Sequence, residues 1–256
     1  MLEMPRLDPL ADAGPIGWGM VVAAPFVGSF LGVLVRRLPE GRPILWARSR
    51  CETCGTTLAA RDLVPLVGWL AKGGRCRFCG ASLGWFDPAI ELAATAVALV
   101  AVAADGGPRT WLDCLFGWWL LALGSIDLRC WLLPDALTLP LVVAGLAVAL
   151  WLEPASLTAV ALGAAFGYLG LRLVGSIYRM LRGSDGVGEG DAKLLAASGA
   201  WLGAAMLPDV ILLAASTALA AALCLRLAGI RLGARLALPF GPFLAFATWL
   251  LWLFAR

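Results

Sequence analysis

Residues 136–152 read ALTLPLVVAGLAVALWL, an uncharged apolar run closed by Glu153 and Pro154. A helix of about 20 apolar residues, with a range of about 17–25, crosses the hydrocarbon core of a bilayer. This stretch therefore predicts a membrane span. Outward from it, seven further runs lie between charges and Pro/Gly breaks. They fall near 16–35, 88–104 and 111–127 on one side, and near 155–174, 192–207, 209–228 and 237–255 on the other. The composition agrees: of 256 residues, 61% are hydrophobic and 14% charged, against about 25% charged in ordinary soluble domains. A soluble fold would have to hide more apolar surface than its interior holds. The expected fold is an all-α polytopic membrane protein with about eight transmembrane helices and a small cytoplasmic loop domain. Disorder, collagen and coiled coil are excluded by the same numbers, and a net charge of +3 is too small for a nucleic-acid binder.

Orientation follows from Lys and Arg near the span ends. With the N-terminus outside, outer segments carry Arg6, Arg109 and Arg256, three of the 20 basic residues, and the other seventeen lie inside. Glu3, Asp8 and Asp12 precede the first run, which lacks a basic leading region and reads as a retained span. The expected organisation is an N-terminal segment and first span over 1–35, a basic cytoplasmic loop over 36–87 and a membrane bundle over 88–256. The loop's basic residues can attract anionic lipid headgroups or serve as topology determinants. A glycine-rich loop is expected at about 175–191. Most of the 12 tryptophans fall near span ends and read as interfacial anchors.

The chain has no histidine, so its chemistry must rest on Asp, Glu, Cys, Ser, Lys or Arg. Four of the seven cysteines form Cys51-Glu-Thr-Cys54 and Cys76-Arg-Phe-Cys79. Paired CxxC turns at this spacing suit one tetrahedral ion held by four thiolates. Gly55 and Gly80 let the backbone turn tightly after each pair, and a reducing cytoplasm disfavours disulfides. Four protein ligands leave no open position, so zinc here would be structural. The alternative is four unmetallated thiols. Cys114, Cys130 and Cys224 read as small packing residues.

Carboxylates within or at the end of a span are costly and mark candidate functional sites. Asp127 closes the third span and Asp191 opens the sixth, both at the inner face under this topology. Two carboxylates from different helices at one depth suit aspartic proteolysis, because like charges a few ångströms apart cannot both ionise. One then keeps a proton and polarises the scissile carbonyl, while the other takes a proton from water. Gly186, Gly188 and Gly190 leave room for backbone, water or peptide beside Asp191; alternatively, Asp191 only caps a helix. Glu189 either points inward and raises the proton affinity of the pair or is a solvated loop acid. Asp135, after Pro134, either caps the fourth span or belongs to the site. Glu91, one turn into the second span, either binds substrate or pairs with a loop arginine.

Several motifs together resemble one family. Pro25-Phe-Val-Gly-Ser-Phe-Leu31 with Arg37-Leu-Pro39, the four-cysteine loop, Ile126-Asp127 with Leu132-Leu-Pro-Asp135-Ala-Leu-Thr-Leu-Pro140, Gly188-Glu-Gly190-Asp191 with Lys193, and Pro239-Phe-Gly-Pro-Phe-Leu244 are similar to the signatures of the type IV prepilin peptidases. These are GxGD membrane aspartic proteases that also act as N-methyltransferases. The resemblance implies that Asp127 and Asp191 are the catalytic pair and that Cys51, Cys54, Cys76 and Cys79 hold zinc. It links the region of Gly74 to methyl transfer from S-adenosylmethionine. The implied substrates are prepilins or type II secretion pseudopilins, cleaved at the cytoplasmic face of the bacterial inner membrane and then methylated at the new N-terminal residue, usually phenylalanine. Association with the pilus or secretion machinery goes with this reading. The chain departs from the first-span signature at Gly32, where the family usually has Asn, which leaves open a peptidase without methyl transfer. A zinc-bearing scaffold without activity and a small transporter are the readings from other classes.

Overall fold

Pro15 opens the first helix of the computed structural model, which describes residues 14–45, 48–183, 188–229 and 238–255. The chain divides into two compact units, residues 1–118 and 119–256.

In the first unit, α1 (Pro15–Arg37) places proline in its first turn, where the missing N–H costs nothing, and Arg36 and Arg37 in its last, where cations suit the helix dipole. It packs along α3 (Phe86–Ala104) through small residues. A Cβ on Gly28 would lie 2.5 Å from the Glu91 Cα, and Ala94, Ala98 and Ala101 of α3 are fully buried. Small side chains let two backbones approach closely, the usual means of helix association in a lipid setting. Gly32 belongs to this seam as well, since a Cβ there would meet Asp87 Oδ1 at 3.2 Å. The loop joining the two helices contains the single-turn α2 (Val67–Leu70). Among the described residues it carries two isolated β-bridges, Arg50 with Thr57 and Arg75 with Ser82. Lys72 meets Asp62 at 2.7 Å and holds that carboxyl below its usual range. The unit boundary falls inside α4 (Thr110–Cys130).

The second unit is built around α7 (Glu189–Leu202), which touches α5 (Asp135–Leu152), α6 (Leu157–Arg182), α8 (Leu207–Leu227) and α9 (Gly241–Phe254). Ala192 and every residue from Leu194 to Trp201 are buried, so the helix is enclosed on every side over that stretch, as a central helix requires. Gly163 and Gly199 bring the α6 and α7 backbones into direct contact, and a Cβ on Gly167 would lie 2.5 Å from the Leu195 carbonyl. Trp201 Nε1 donates to the Leu141 carbonyl at 2.9 Å, and the Ser198 and Thr248 hydroxyls are 2.6 Å apart.

Among the described residues, six helices are long and apolar enough to cross a membrane: α1, α3, α4, α5, and α6 and α8 with their leading 3-10 turns. Helices α7 and α9 stand at the other two expected positions but have 14 residues each. They rise only about 21 Å, short of a core about 30 Å thick. Other expectations are corrected. The sixth and seventh segments divide at Gly203, whose φ of +82° ends α7, whereas Pro208 sits harmlessly in the first turn of α8. The stretch expected as a loop from 175 is helical to Arg182, where Gly183 caps α6 in the left-handed conformation. Trp85 and Trp131 are exposed, as the anchor reading of most tryptophans expects, whereas Trp118, Trp201, Trp249 and Trp252 are buried core residues. Cys114 is buried, but Cys130 and Cys224 are exposed and do not serve the expected internal packing. Gly186, Arg6, Arg256 and the acids before residue 14 lie outside the described residues.

Candidate active site and metal centre

Asp127 lies in the last turn of α4, with three residues of the helix beyond it, and is 6% exposed. The helix continues to Cys130, so Asp127 sits inside it and does not close it as expected. Trp131 then takes a left-handed φ of +55°, and its N–H donates to the Asp127 carbonyl at 2.9 Å. The Asp127 carboxylate is fixed from another helix: the backbone N–H of Gly241, at the start of α9, donates to Oδ2 at 3.0 Å. Only glycine permits this approach, because a Cβ there would stand 2.5 Å from the same oxygen. Gly124 repeats the device one turn earlier, with a Cβ that would meet the Pro242 Cα at 3.3 Å. Exposed N–H groups at a helix start are natural partners for an anion. Gly241 is the functional residue that sequence reasoning passed over. Its motif, Pro239-Phe-Gly-Pro-Phe-Leu244, was visible, but which atom it would meet was not.

Asp191 is the third residue of α7, and the N-cap Gly188 offers its N–H to the carboxylate. A Cβ on Gly188 would come within 3.0 Å of Asp191 Oδ2, and one on Gly190 within 2.9 Å of the Leu133 Cβ. The glycines thus let loop and neighbouring chain close around the acid. Asp127 and Asp191 line one cavity of about 680 Å³ with Trp131, Leu133, Pro239 and Phe240, and the charge of Asp127 acts on Asp191. The site has two carboxylates on different helices, each held by a glycine N–H, facing a partly apolar space. That arrangement suits the activation of water against a carbonyl.

The remaining acids have other partners. Asp135 is not the cap of α5, since that position belongs to Pro134; it pairs with Lys193 at 2.7 Å. Glu189 is half exposed and meets Lys193 at 3.7 Å and Arg172 at 3.6 Å, so it is a charge-balanced rim acid. Glu91 is buried and accepts the Leu66 N–H at 2.7 Å. The expected arginine partner is absent among the described residues, because Arg36 pairs with Asp87 at 2.8 Å.

In the first unit, the sulfurs of Cys51, Cys54, Cys76 and Cys79 lie within 4.8 Å of one another, with 3.8 Å from Cys51 to Cys79 and 4.0 Å from Cys54 to Cys76. A tetrahedral ion with bonds of about 2.3 Å spaces its sulfurs about 3.8 Å apart. The two knuckles repeat one geometry. Gly55 and Gly80 have φ of +69° and +70° and each donates to the carbonyl of its leading cysteine at 2.9 Å. Hydrogen bonding with the Thr56 side chain and backbone brings the Cys54 thiol down to about 6, and backbone groups of Cys79 and Phe78 lower Cys76. Cys79 has a backbone hydrogen bond to Ala81 but is pushed up to about 11 by burial and by the competing sulfurs. Four sulfurs competing for negative charge at these spacings fit a divalent ion, and the cluster can bind zinc.

A polytopic helical architecture with a paired-aspartate cavity and a four-cysteine cluster defines a membrane protein equipped for hydrolysis. The family model of the bacterial Peptidase A24 N-terminal domain matches residues 22–104, and that of the type IV leader peptidase family matches residues 114–225. The chain belongs to the type IV leader peptidase family. A prepilin leader peptidase/N-methyltransferase of Burkholderia pseudomallei (strain 1026b) is 41% identical over 269 residues, covering 93% of this chain and 86% of that protein. The protein of the same name from Pseudomonas aeruginosa (strain PAO1) is 38% identical, covering 97% and 95%. The one from Klebsiella pneumoniae is 40% identical, covering 83% and 97%. No solved structure matches the chain.

Proposed function

We propose that this chain is a membrane aspartic endopeptidase that removes the leader from type IV prepilins or type II secretion pseudopilins and then methylates the new N-terminal residue. The observation that carries the reading is the shared cavity of Asp127 and Asp191. One carboxyl keeps a proton and polarises the scissile carbonyl, while the other takes a proton from the attacking water. The two behave as a coupled pair, and the proton then passes to the departing amine. Gly241 and Gly188 hold the carboxylates in place, and Gly190 keeps the wall beside Leu133 free of a side chain. Trp131, Leu133 and Phe240 supply apolar surface for the residues flanking the bond. Lys193, tied to Asp135 and Glu189, shapes the charged rim.

In this reading residues 1–35 are the first span and 36–87 a zinc-clasped loop that serves methyl transfer, with Gly74 in it. Residues 88–256 form the peptidase bundle. S-adenosylmethionine supplies the methyl group when bound. The cavity opens to the cytoplasmic side of the bacterial inner membrane, where the pilus or secretion machinery receives the product. The Asp127→Asn and Asp191→Asn variants, purified in detergent with a prepilin and labelled methyl donor, are expected to leave the leader attached while keeping the wild-type melting profile. Full cleavage by either variant would overturn the assignment, and mass spectrometry of the mature N-terminus separates a peptidase that methylates from one that does not.

A further inference from the structure

The first unit holds a second cavity, apart from the aspartate pair. Its volume is about 190 Å³, and its walls include Leu63, Leu66 and Trp69 of the loop with Ser29, Val33 and Glu91 of α1 and α3; the acids Glu52, Asp62 and Asp87 and the cations Arg36 and Arg50 share the lining. Glu91 is 5% exposed although α3 is apolar enough to span a bilayer. Hydrogen bonds from the Leu66 N–H at 2.7 Å and from Ser29 hold its place. Among the described residues no Lys or Arg lies within ion-pair distance of it, and Arg36 on the same cavity is committed to Asp87. A buried carboxylate is costly unless a cation or a full set of hydrogen bonds compensates. This one has two donors, lines an open space and lacks a counter-ion.

Trp69, which also lines the cavity, is held in place. Trp69 donates its Nε1–H to the Gly84 carbonyl at 2.9 Å, and its ring lies 4.3 Å from that of Trp85. Gly74, at a φ of +69°, gives it room, because a Cβ there would stand 2.7 Å from the Trp69 ring. The cavity's volume of about 190 Å³, partly lined by charged side chains, exceeds the volume of about 150 Å³ that suffices for benzene, so the space is large enough for one aromatic side chain.

We infer that this cavity is a primary-ammonium site, with Glu91 as the counter-ion and the Trp69 wall taking an apolar side chain about the size of phenylalanine. The inference rests on the methyl-transfer reading for its two sources. The N-terminal residue uncovered by leader cleavage presents this chemistry, and so does the amino-acid end of the methyl donor. Glu91 acts as a binding residue that orients the cation, and Gly74 acts through Trp69.

The test titrates the purified full-length chain with phenylalanine amide, N-acetylphenylalanine amide and S-adenosylhomocysteine, using wild type, Glu91→Gln and Gly74→Ala. Glutamine keeps an acceptor for the Leu66 N–H and removes only the charge. Wild type is expected to bind phenylalanine amide and not the acetylated form, and Glu91→Gln to weaken that binding about 10- to 100-fold. Gly74→Ala, which leaves Glu91 intact and crowds Trp69, is expected to weaken it as well, and so carries the test if Glu91→Gln melts early. Weakening confined to S-adenosylhomocysteine assigns the held ammonium to the donor. Equal binding by wild type and both variants, or equal binding of the acetylated amide, overturns the site. Glu91-dependent binding in a protein that never methylates a cleaved prepilin leaves the site standing and removes the methyl-transfer reading. Methylation per cleaved chain at the wild-type level in Glu91→Gln removes the site and leaves that reading standing.

Discussion

Replacing Gly241 by alanine adds one methyl group where the structure has no room for it. The new Cβ would stand 2.5 Å from Asp127 Oδ2 and 3.0 Å from its Cγ, against ordinary contacts of about 3.5–4.0 Å. Relief requires the carboxylate or the start of α9 to move by roughly 1 Å, which also stretches the 3.0 Å hydrogen bond from the Gly241 N–H. Leaving a buried acceptor unsatisfied costs about 1–3 kcal/mol. A displacement near 1 Å in a reacting group costs about a hundredfold in rate. The backbone at 241 is helical and not left-handed, so alanine suits the local conformation and the penalty falls on Asp127. The expected outcome is a loss of about 100-fold in kcat/KM for leader cleavage with a small change in Tm. Gly170→Ala, which meets nothing within 4 Å, serves as the control and retains cleavage. An unaltered cleavage rate in Gly241→Ala would refute the claim that this backbone group positions the acid.

Gly199→Ala drives a methyl group into the Gly163 carbonyl and should cost about 1–3 kcal/mol by overpacking, read as a lowered unfolding temperature. Metal analysis should find one zinc ion per chain, with Cys54→Ser and Cys79→Ser each reducing it; an unchanged metal content in both would refute the four-sulfur centre. The Lys72 ammonium depresses Asp62, so this pair's stabilisation is full above the ordinary carboxylate range, about 4, and fades as pH falls through the lower folded value. Limited proteolysis of the loop should therefore rise towards pH 3 in wild type, and Lys72→Met should show fast cleavage already at pH 6. Equal rates in the two proteins at pH 6 would show that the pair does not hold the loop.

Much of the site was legible because its signals are local. CxxC spacing places two sulfurs on one turn whatever surrounds them, and the glycines after each pair announce a left-handed backbone. Asp127 and Asp191 stood out because carboxylates beside apolar runs are rare. The partners of the polar groups were not legible, since they come from distant positions. Glu91 reads as a match for arginine until the Leu66 N–H, 25 residues away, proves to be its partner. Asp135 reads as a cap until Lys193, 58 residues on, draws it into an ion pair. Helix ends are least legible where several breaking residues stand close together: Gly203 stops α7 five residues before Pro208.

What the sequence determined by itself is what short-range chemistry dictates. Hydropathy runs specify a bundle of apolar helices, cysteine spacing specifies a metal-sized cluster, and acids beside apolar segments specify where chemistry is affordable. What only the tertiary structure decided is which backbone meets which side chain. Gly241 lies 114 residues from Asp127, and a glycine in a helical turn carries no local mark of its role. Its value is the absence of a side chain, and that becomes visible only once another helix brings a carboxylate into the space left open.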